Sequence, residues 1–312
     1  MRVLLTCPQM QANFAEHADR LSAAGLECDL PPVVQALSES ELLEIIDRYD
    51  GMVAGDDEIT AAVLEKGAAN RLKVISKWGV GVDGIDLVAA RRLGVTVTNC
   101  PGAFDAEVAD VCVGYLVLLA RGLHVVDAKI REGSWHKVLG TSLNGATIGI
   151  VGLGGIGRAL AKRVLAMEMT VLGYDPFPAS QEAAAALGVQ LVELDELLRS
   201  VDYLSLNCPL TADNRHLLNR DSLATVRPGL RIVNTGRGPL IDEAALLEAL
   251  QDGRVAGAAL DVFEVEPLPM GSPLRTLPHV VLGSHNSSNT AEAGARTSRT
   301  AVDNLLRELG LT

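Results

Sequence analysis

The stretch Thr147-Ile148-Gly149-Ile150-Val151-Gly152-Leu153-Gly154-Gly155-Ile156-Gly157 constrains the fold more than any other. Ile148–Val151 reads as a buried strand, glycines follow at G-x-G-x-x-G spacing, and Arg158–Met167 reads as a helix. Each glycine has a steric job. Gly152 permits a tight turn, Gly154 lets backbone approach a pyrophosphate, and Gly157 lets the helix pack close on the strand. The helix N-terminus then offers N–H groups and a positive dipole end to that phosphate. Met169–Tyr174 reads as the next strand and ends at Asp175. That is near the separation of about 20 residues expected for the acid that grips a ribose 2′-hydroxyl. A carboxylate there repels a 2′-phosphate, so the pattern favours NAD over NADP. The alternative for Asp175, which precedes Pro176, is a turn residue.

At 312 residues the chain is longer than one core usually serves, which predicts two domains. The first half alternates strands (Val3–Thr6, Glu27–Leu30, Met52–Ala54, Lys73–Ser76, Val95–Thr98) with helices. The helices run over about Asn13–Ala24, from a Ser38/Glu41 capping box to Arg48, from Thr60, and over Asp86–Leu93. This alternation indicates a parallel sheet with helices on both faces. Asn99-Cys100-Pro101-Gly102 reads as a crossing between domains, and Asp105–Leu119 as a long helix. A second series over 147–285 has strands at Tyr203–Leu206, Arg231–Asn234, Val255–Leu260 and Val280–Leu282. Asn304–Leu309 lies on a final helix that returns to the first domain. Trp135 reads as a core-edge residue, with an exposed oligomer contact as the alternative.

A formal net charge of −12, with no Lys/Arg-rich stretch, argues against nucleic-acid and anionic-membrane partners. An anionic substrate must therefore be held by a few local cations. Five cysteines, none at C-x-x-C spacing, read as reduced thiols of a cytoplasmic protein and give no zinc site. The longest apolar stretch, Val111–Ala120, is too short to span a bilayer, and the N-terminus is too short in apolar residues for a signal peptide.

Functional side chains cluster just past strand ends, the ligand-binding edge of an open α/β sheet. Lys77-Trp78-Gly79-Val80-Gly81-Val82-Asp83-Gly84-Ile85-Asp86 follows a strand. Its glycines expose backbone N–H groups that can hold a carboxylate, and Lys77 adds a charge there or is solvated. Near the C-terminus Arg237, Glu266 and His285 stand at glycine- or proline-punctuated strand ends. Hydride transfer to a 2-keto acid puts negative charge on the carbonyl oxygen, which then needs a cation and a proton donor. An Arg can fork the carboxylate and reach that oxygen. A His can give the proton near neutral pH, and a Glu on its other ring nitrogen fixes the tautomer. A solvated Arg, a loop acid and a structural His are the bland alternatives, and spacing alone does not bring the three together.

The chain resembles the D-isomer-specific 2-hydroxyacid dehydrogenase family over nearly its whole length. The resemblance rests on Gly79–Asp86, on Gly149–Gly157 with Tyr174-Asp175-Pro176, and on Cys208-Pro209-Leu210-Thr211. It continues through Asn234–Gly238, Asp261-Val262-Phe263-Glu264-Val265-Glu266-Pro267, and His285. It implies a two-lobed α/β protein with parallel sheets. Residues 99–289 would form a Rossmann NAD-binding domain, and 1–98 with 290–312 a flavodoxin-like substrate (catalytic) domain. It implies that Arg237 orients the carboxylate and polarises the carbonyl, and that His285 is the acid/base with Glu266 its partner. Backbone at Val80 and Gly81, beside Lys77, would hold the substrate carboxylate. Gly152, Gly154, Gly155, Ile156, Gly157, Asp175, Cys208, Pro209, Thr235, Gly236 and Asp261 would line the NAD site, and the chain would form a homodimer.

Asn286 and Ser287 depart from the aliphatic and small residues many members carry after that His, and are expected to add polar contacts to substrate or nicotinamide amide. Trp78 and Phe104 are expected to narrow the substrate pocket. The implied activity is NAD-dependent interconversion of a small D-2-hydroxy acid and its 2-keto acid, with glycerate-, lactate-, 3-phosphoglycerate- and phosphonate- or phosphite-type substrates all open. A phosphite or hydroxyalkylphosphonate dehydrogenase and a non-catalytic, corepressor-like NAD(H) sensor are the alternatives.

Overall fold

Short apolar strands separated by helices can bury both faces only in a parallel sheet sandwiched by those helices. The computed structural model describes residues Met1–Leu311. Its first sheet contains β1 (Arg2–Leu5), β2 (Glu27–Asp29), β3 (Gly51–Ala54), β4 (Val74–Lys77) and β5 (Thr96–Thr98). The order is β2-β1-β3-β4-β5, every pair parallel, which is the flavodoxin-like arrangement. β3 and β4 are buried along their whole length, as central strands covered on both faces must be. Leu4, Ile46, Met52, Leu64 and Ile75 form the core on one face.

Helix starts follow the capping chemistry in the sequence. The Ser38/Glu41 box closes reciprocally, and Thr60 and Asp86 cap the next two helices through their side chains. The expected helix over Asn13–Ala24 differs: it begins at Pro8 and breaks into Pro8–Ala12, a 3-10 turn at Phe14–Glu16, and Ala18–Ala23. Pro8 suits a first helical turn, where its missing N–H is not needed, while Asn13 leaves helical geometry at φ −96°, ψ 6°. The last helix, Ala291–Glu308, starts well before Asn304 because the Thr290 hydroxyl caps it at Ala293 N.

By internal packing the chain divides into Met1–Ala103 with the chain from Asn289 onward, and Phe104–Ser288. The first boundary falls later than residue 98. Cys100 N donates to Gly79 O at 2.8 Å, Asn304 Nδ2 to Asn99 O at 3.0 Å, and the Arg296 guanidinium to Ala103 O, all within the first unit. The expectation that Trp78 narrows a substrate pocket is not met. Trp78 is 5% exposed, and its indole N–H donates to Ser298 Oγ at 2.9 Å, anchoring the last helix. Phe104 is likewise buried.

The second sheet holds β6 (Thr147–Val151), β7 (Thr170–Tyr174), β8 (Gln190–Leu191), β9 (Tyr203–Leu206), β10 (Leu230–Asn234), β11 (Val255–Leu260) and β12 (Val280–Leu282). The order is β12-β11-β10-β9-β6-β7-β8, all parallel, a Rossmann sheet with one added strand. Chain progression reverses between β6 and β9, so their C-terminal ends form the switch point where ligands bind in such sheets. Leu197, Leu204, Leu206, Ile232 and Leu246 are among its core residues. Trp135 is not at the core edge: it is 86% exposed, on a wholly exposed segment over 132–142. Among the described residues no single helix is long and apolar enough to cross a membrane.

Asp57, 1% exposed, holds the end of β3 in the first unit. Its carboxylate accepts from Leu37 N and Gly55 N, each at 2.8 Å, and from the Thr6 hydroxyl. Asp57→Ala strands these buried donors and should lower stability by about 2–3 kcal/mol. Urea unfolding checks this, and a midpoint unchanged from the parent would contradict it.

Candidate active site

Three neighbouring strands of the second sheet deliver the three singled-out side chains at their C-terminal ends: Arg237 after β10, Glu266 after β11, His285 after β12. The turn after β10 is shaped by buried Asn234. Its Oδ1 accepts from Gly236 N at 3.1 Å, and its Nδ2 donates to Arg237 O at 2.9 Å. A Cβ on Gly238 would fall 1.9 Å from Phe263 backbone, so only glycine lets this turn lie directly on the segment leading to Glu266. Arg237, half-buried, has Nη1 2.9 Å from Gly236 O.

Glu266 and His285 meet. His285 Nδ1 lies 2.7 Å from Glu266 Oε2, and the other carboxylate oxygen accepts from Phe263 N at 2.9 Å. Both side chains stay about a quarter exposed, at 27% and 22%. The preceding acids brace the same loop. Glu264 Oε1 lies 2.6 Å from His216 Nε2, and Glu264 N donates to Glu243 Oε1 at 2.7 Å. Burial raises the Glu243 carboxyl above the ordinary range, with Glu264 and Glu266 adding to the effect.

His285 has φ +54°, in the left-handed region, and its turn is held there by one buried carboxylate. Asp261, 2% exposed, accepts from Ser287 N at 2.9 Å, from the Ser287 hydroxyl, from Asn286 N at 3.2 Å and from Tyr115 Oη at 3.2 Å. The Asp261 carbonyl also accepts from His285 N at 2.7 Å. Ser287 therefore donates its hydroxyl proton to Asp261. Tyr115, whose hydroxyl burial and Asp261 together hold protonated, was not visible as a site residue in the sequence. Only the fold brings it from the helix Asp105–Arg121 to the end of β11.

The fingerprint residues sit at the switch point. Gly152 has φ +91°, and a Cβ there would lie 2.6 Å from Cys208 N. A Cβ on Gly157 would lie 2.0 Å from Gly152 O. Gly154, at the N-terminus of the helix Gly155–Ala166, has nothing within 4 Å of such an atom, with Ile156 half-buried behind it. Closed contact at two glycines and open space at the third fit a dinucleotide pyrophosphate. Asp175 does work as a turn residue: its Oδ2 accepts from Leu153 N at 2.7 Å and its Oδ1 from Phe177 N at 2.8 Å. The acid thus fastens β7 to the glycine turn while each oxygen keeps acceptor capacity for a ribose hydroxyl. Cys208 and Pro209 follow β9 beside Gly152. Thr235 turns inward, its Oγ1 accepting from Asn207 Nδ2 at 3.1 Å, and Gly236 approaches Cys208 O closely.

In the first unit the loop after β4 is tied down through its carbonyls. Gly79 O accepts from Cys100 N and Val80 O from Asn99 Nδ2 at 2.7 Å, with Gly81 next to them. Lys77 does not present a free charge there: it is 6% exposed, with Nζ 3.0 Å from Asp56 Oδ1 and 3.2 Å from Trp78 O.

A dinucleotide turn at the switch point of the second sheet, with a His–Glu pair and an Arg along the same edge, defines an NAD-dependent dehydrogenase. The sequence description of the D-isomer specific 2-hydroxyacid dehydrogenase NAD-binding domain matches residues 113–287. The chain is 38% identical over 288 residues to hydroxypyruvate reductase of Thermotoga maritima, covering 91% of this chain and 92% of that one. It is 41% identical over 265 residues to D-3-phosphoglycerate dehydrogenase of Methanocaldococcus jannaschii, covering 84% of this chain but 50% of that longer one. The structure of TT0316 protein from Thermus thermophilus superposes with a TM-score of 0.85 at 37% identity, over 99% of this chain and 97% of that one. The chain belongs to the D-isomer-specific 2-hydroxyacid dehydrogenase family, and it interconverts a small D-2-hydroxy acid and its 2-keto acid with NAD.

Gly238→Ala forces the Arg237 turn off the Phe263–Glu264 backbone. It should cut kcat by about a hundredfold or more, the scale of a 1 Å misplacement, while NADH binding followed by fluorescence persists. Near-parental kcat would show that the turn tolerates the shift.

Proposed function

We propose that Arg237, His285 and Glu266 carry the reaction and that the family's NAD-site positions act here as their places in the fold suggest. The observation that carries this reading is the 2.7 Å contact between His285 Nδ1 and Glu266. With Nδ1–H committed to a carboxylate, Nε2 is the atom through which His285 exchanges a proton. In the reducing direction imidazolium Nε2 gives its proton to the carbonyl oxygen; in the oxidising direction neutral Nε2 takes the proton from the hydroxyl. Glu266 stabilises the charged ring and fixes its orientation. Arg237 forks the substrate carboxylate and places positive charge at the carbonyl oxygen where negative charge develops. The bound nicotinamide supplies or accepts the hydride.

The backbone N–H groups of Val80 and Gly81 seat the substrate carboxylate, a role supported by the anchoring of the neighbouring carbonyls. Asp175 takes the adenosine ribose hydroxyls and selects NAD. The glycine turn, with Gly155 and Ile156, takes the pyrophosphate. Cys208 and Pro209 border the adenosine, and Thr235, Gly236 and Asp261 the nicotinamide end. A His–Glu pair at this edge favours catalysis over a sensor that only binds NAD(H).

The reading also includes a cytoplasmic homodimer. All five thiols are free, and burial pushes Cys7 up to about 12. Leu123, Ile130, Trp135, Val138 and Leu139 expose apolar surface on the second unit, on the helix Leu123–Arg131 and the segment after it, a surface suited to a second copy. Sedimentation should give the mass of two chains, and a monomer at micromolar concentration would remove the dimer.

The catalytic reading is tested by following NADH loss at 340 nm with glyoxylate, hydroxypyruvate and pyruvate, and with NADPH as the comparison. At least one acid should be reduced, with NADH preferred. Arg237→Ala should then lose on the order of 3 kcal/mol of transition-state stabilisation, about a hundredfold in kcat. Undiminished turnover would take Arg237 out of the mechanism.

A further inference from the structure

The loop Gly79–Ile85 does not stand alone at its end of the first sheet. The segment after β3 lies against it. Trp78 N donates to Ala54 O at 2.9 Å, Ile59 N to Gly84 O at 2.8 Å, and Ile59 bridges Ile85. A Cβ on Gly84 would sit 2.8 Å from Asp57 O. Across 54–60 and 77–86 the sequence holds one cation, Lys77, against Asp56, Asp57, Glu58, Asp83 and Asp86. Three of these acids hold backbone: Asp57 is buried among backbone donors, Glu58 accepts from Glu39 N at 3.2 Å, and Asp86 caps the following helix.

The Lys77–Asp56 pair is asymmetric toward solvent. The lysine side chain is 8% exposed and the aspartate side chain 41%, with 3.0 Å between Nζ and Oδ1. An approaching anion therefore meets the carboxylate first, with the ammonium behind it and already neutralised. A carboxylate seated on the Val80–Gly81 N–H groups and forked by Arg237 does not need Lys77. A second anionic group on the substrate tail does, and at a few ångströms from Asp56 it would meet a like charge instead.

We propose that Asp56, by capping Lys77, makes this enzyme selective for 2-keto acids with short uncharged tails and against those carrying a phosphate or phosphonate. Asp56 is thus a specificity-determining residue, with no part in hydride or proton transfer. The inference rests on the reading that the Val80–Gly81 loop seats the substrate carboxylate.

The test compares kcat/KM of the full-length protein for glyoxylate, hydroxypyruvate and 3-phosphohydroxypyruvate with NADH at fixed low ionic strength. Hydroxypyruvate should exceed its phosphorylated form by about tenfold or more, and the ratio should shrink as salt screens the carboxylate. Asp56→Asn should narrow the ratio by about tenfold, and Asp56→Glu should preserve it. Equal or better use of the phosphorylated acid by the parent protein overturns the inference whether or not the variants fold. A ratio unmoved by Asp56→Asn and by Asp56→Ser overturns it as well. In either case reduction of glyoxylate leaves the catalytic reading standing. Reduction of none of the three acids, with NADH bound, sinks both.

Discussion

The buried carboxylate of Asp261 is the interaction on which the sheet edge carrying His285 depends. Four donors converge on it, three of them from Asn286 and Ser287 just past His285 and one from Tyr115. A carboxylate removed from water is tolerated only when its acceptor sites are filled, and here the residues that fill them are those that set the backbone of the His285 turn. Satisfying the charge and aiming the imidazole are one event. The left-handed geometry at His285, costly for a free residue, persists because the turn is over-determined in this way.

Close backbone approach does the rest of the assembly. Gly238 lets the Arg237 turn rest on the Phe263–Glu264 backbone, Gly157 lets a helix rest on the Gly152 carbonyl, and Gly152 lets the first βα turn rest against Cys208. In each case a methyl group would occupy space taken by main chain, and main chain cannot rotate away as a side chain can. The consequence is a row of strand ends, β7, β6, β9, β10, β11 and β12, whose turns share one edge. Asp175 joins that row by fastening the end of β7 to the glycine turn.

The His285–Glu266 pair and the loop after β4 are treated differently by their surroundings. His285 and Glu266 keep partial exposure, which suits the proton exchange proposed for them. Lys77 is withdrawn and neutralised by Asp56, which suits a charge that supports a loop more than one that grips a ligand. The hydroxypyruvate reductase and phosphoglycerate dehydrogenase relatives are similar in identity to this chain, at 38% and 41%, so overall similarity does not choose between their substrates.

Period and punctuation made much legible in the chain itself. The βα alternation, the G-x-G-x-x-G turn, the Ser38/Glu41 cap and the strand-end positions of Arg237, Glu266 and His285 are all local patterns, and local patterns follow from backbone sterics and hydrogen bonding within a few residues. The early helix broke at Asn13 because Pro8 and Asn13 reset its start and end. Trp135 lay exposed, Trp78 turned inward to Ser298, Lys77 found Asp56, and Tyr115 and Ser287 found Asp261. Those outcomes belong to the tertiary structure alone. Each of these contacts joins residues that the sequence separates, by 21 positions for Lys77 and Asp56 and by 146 for Tyr115 and Asp261. A side chain's partner at such range is chosen by packing, which no local pattern encodes.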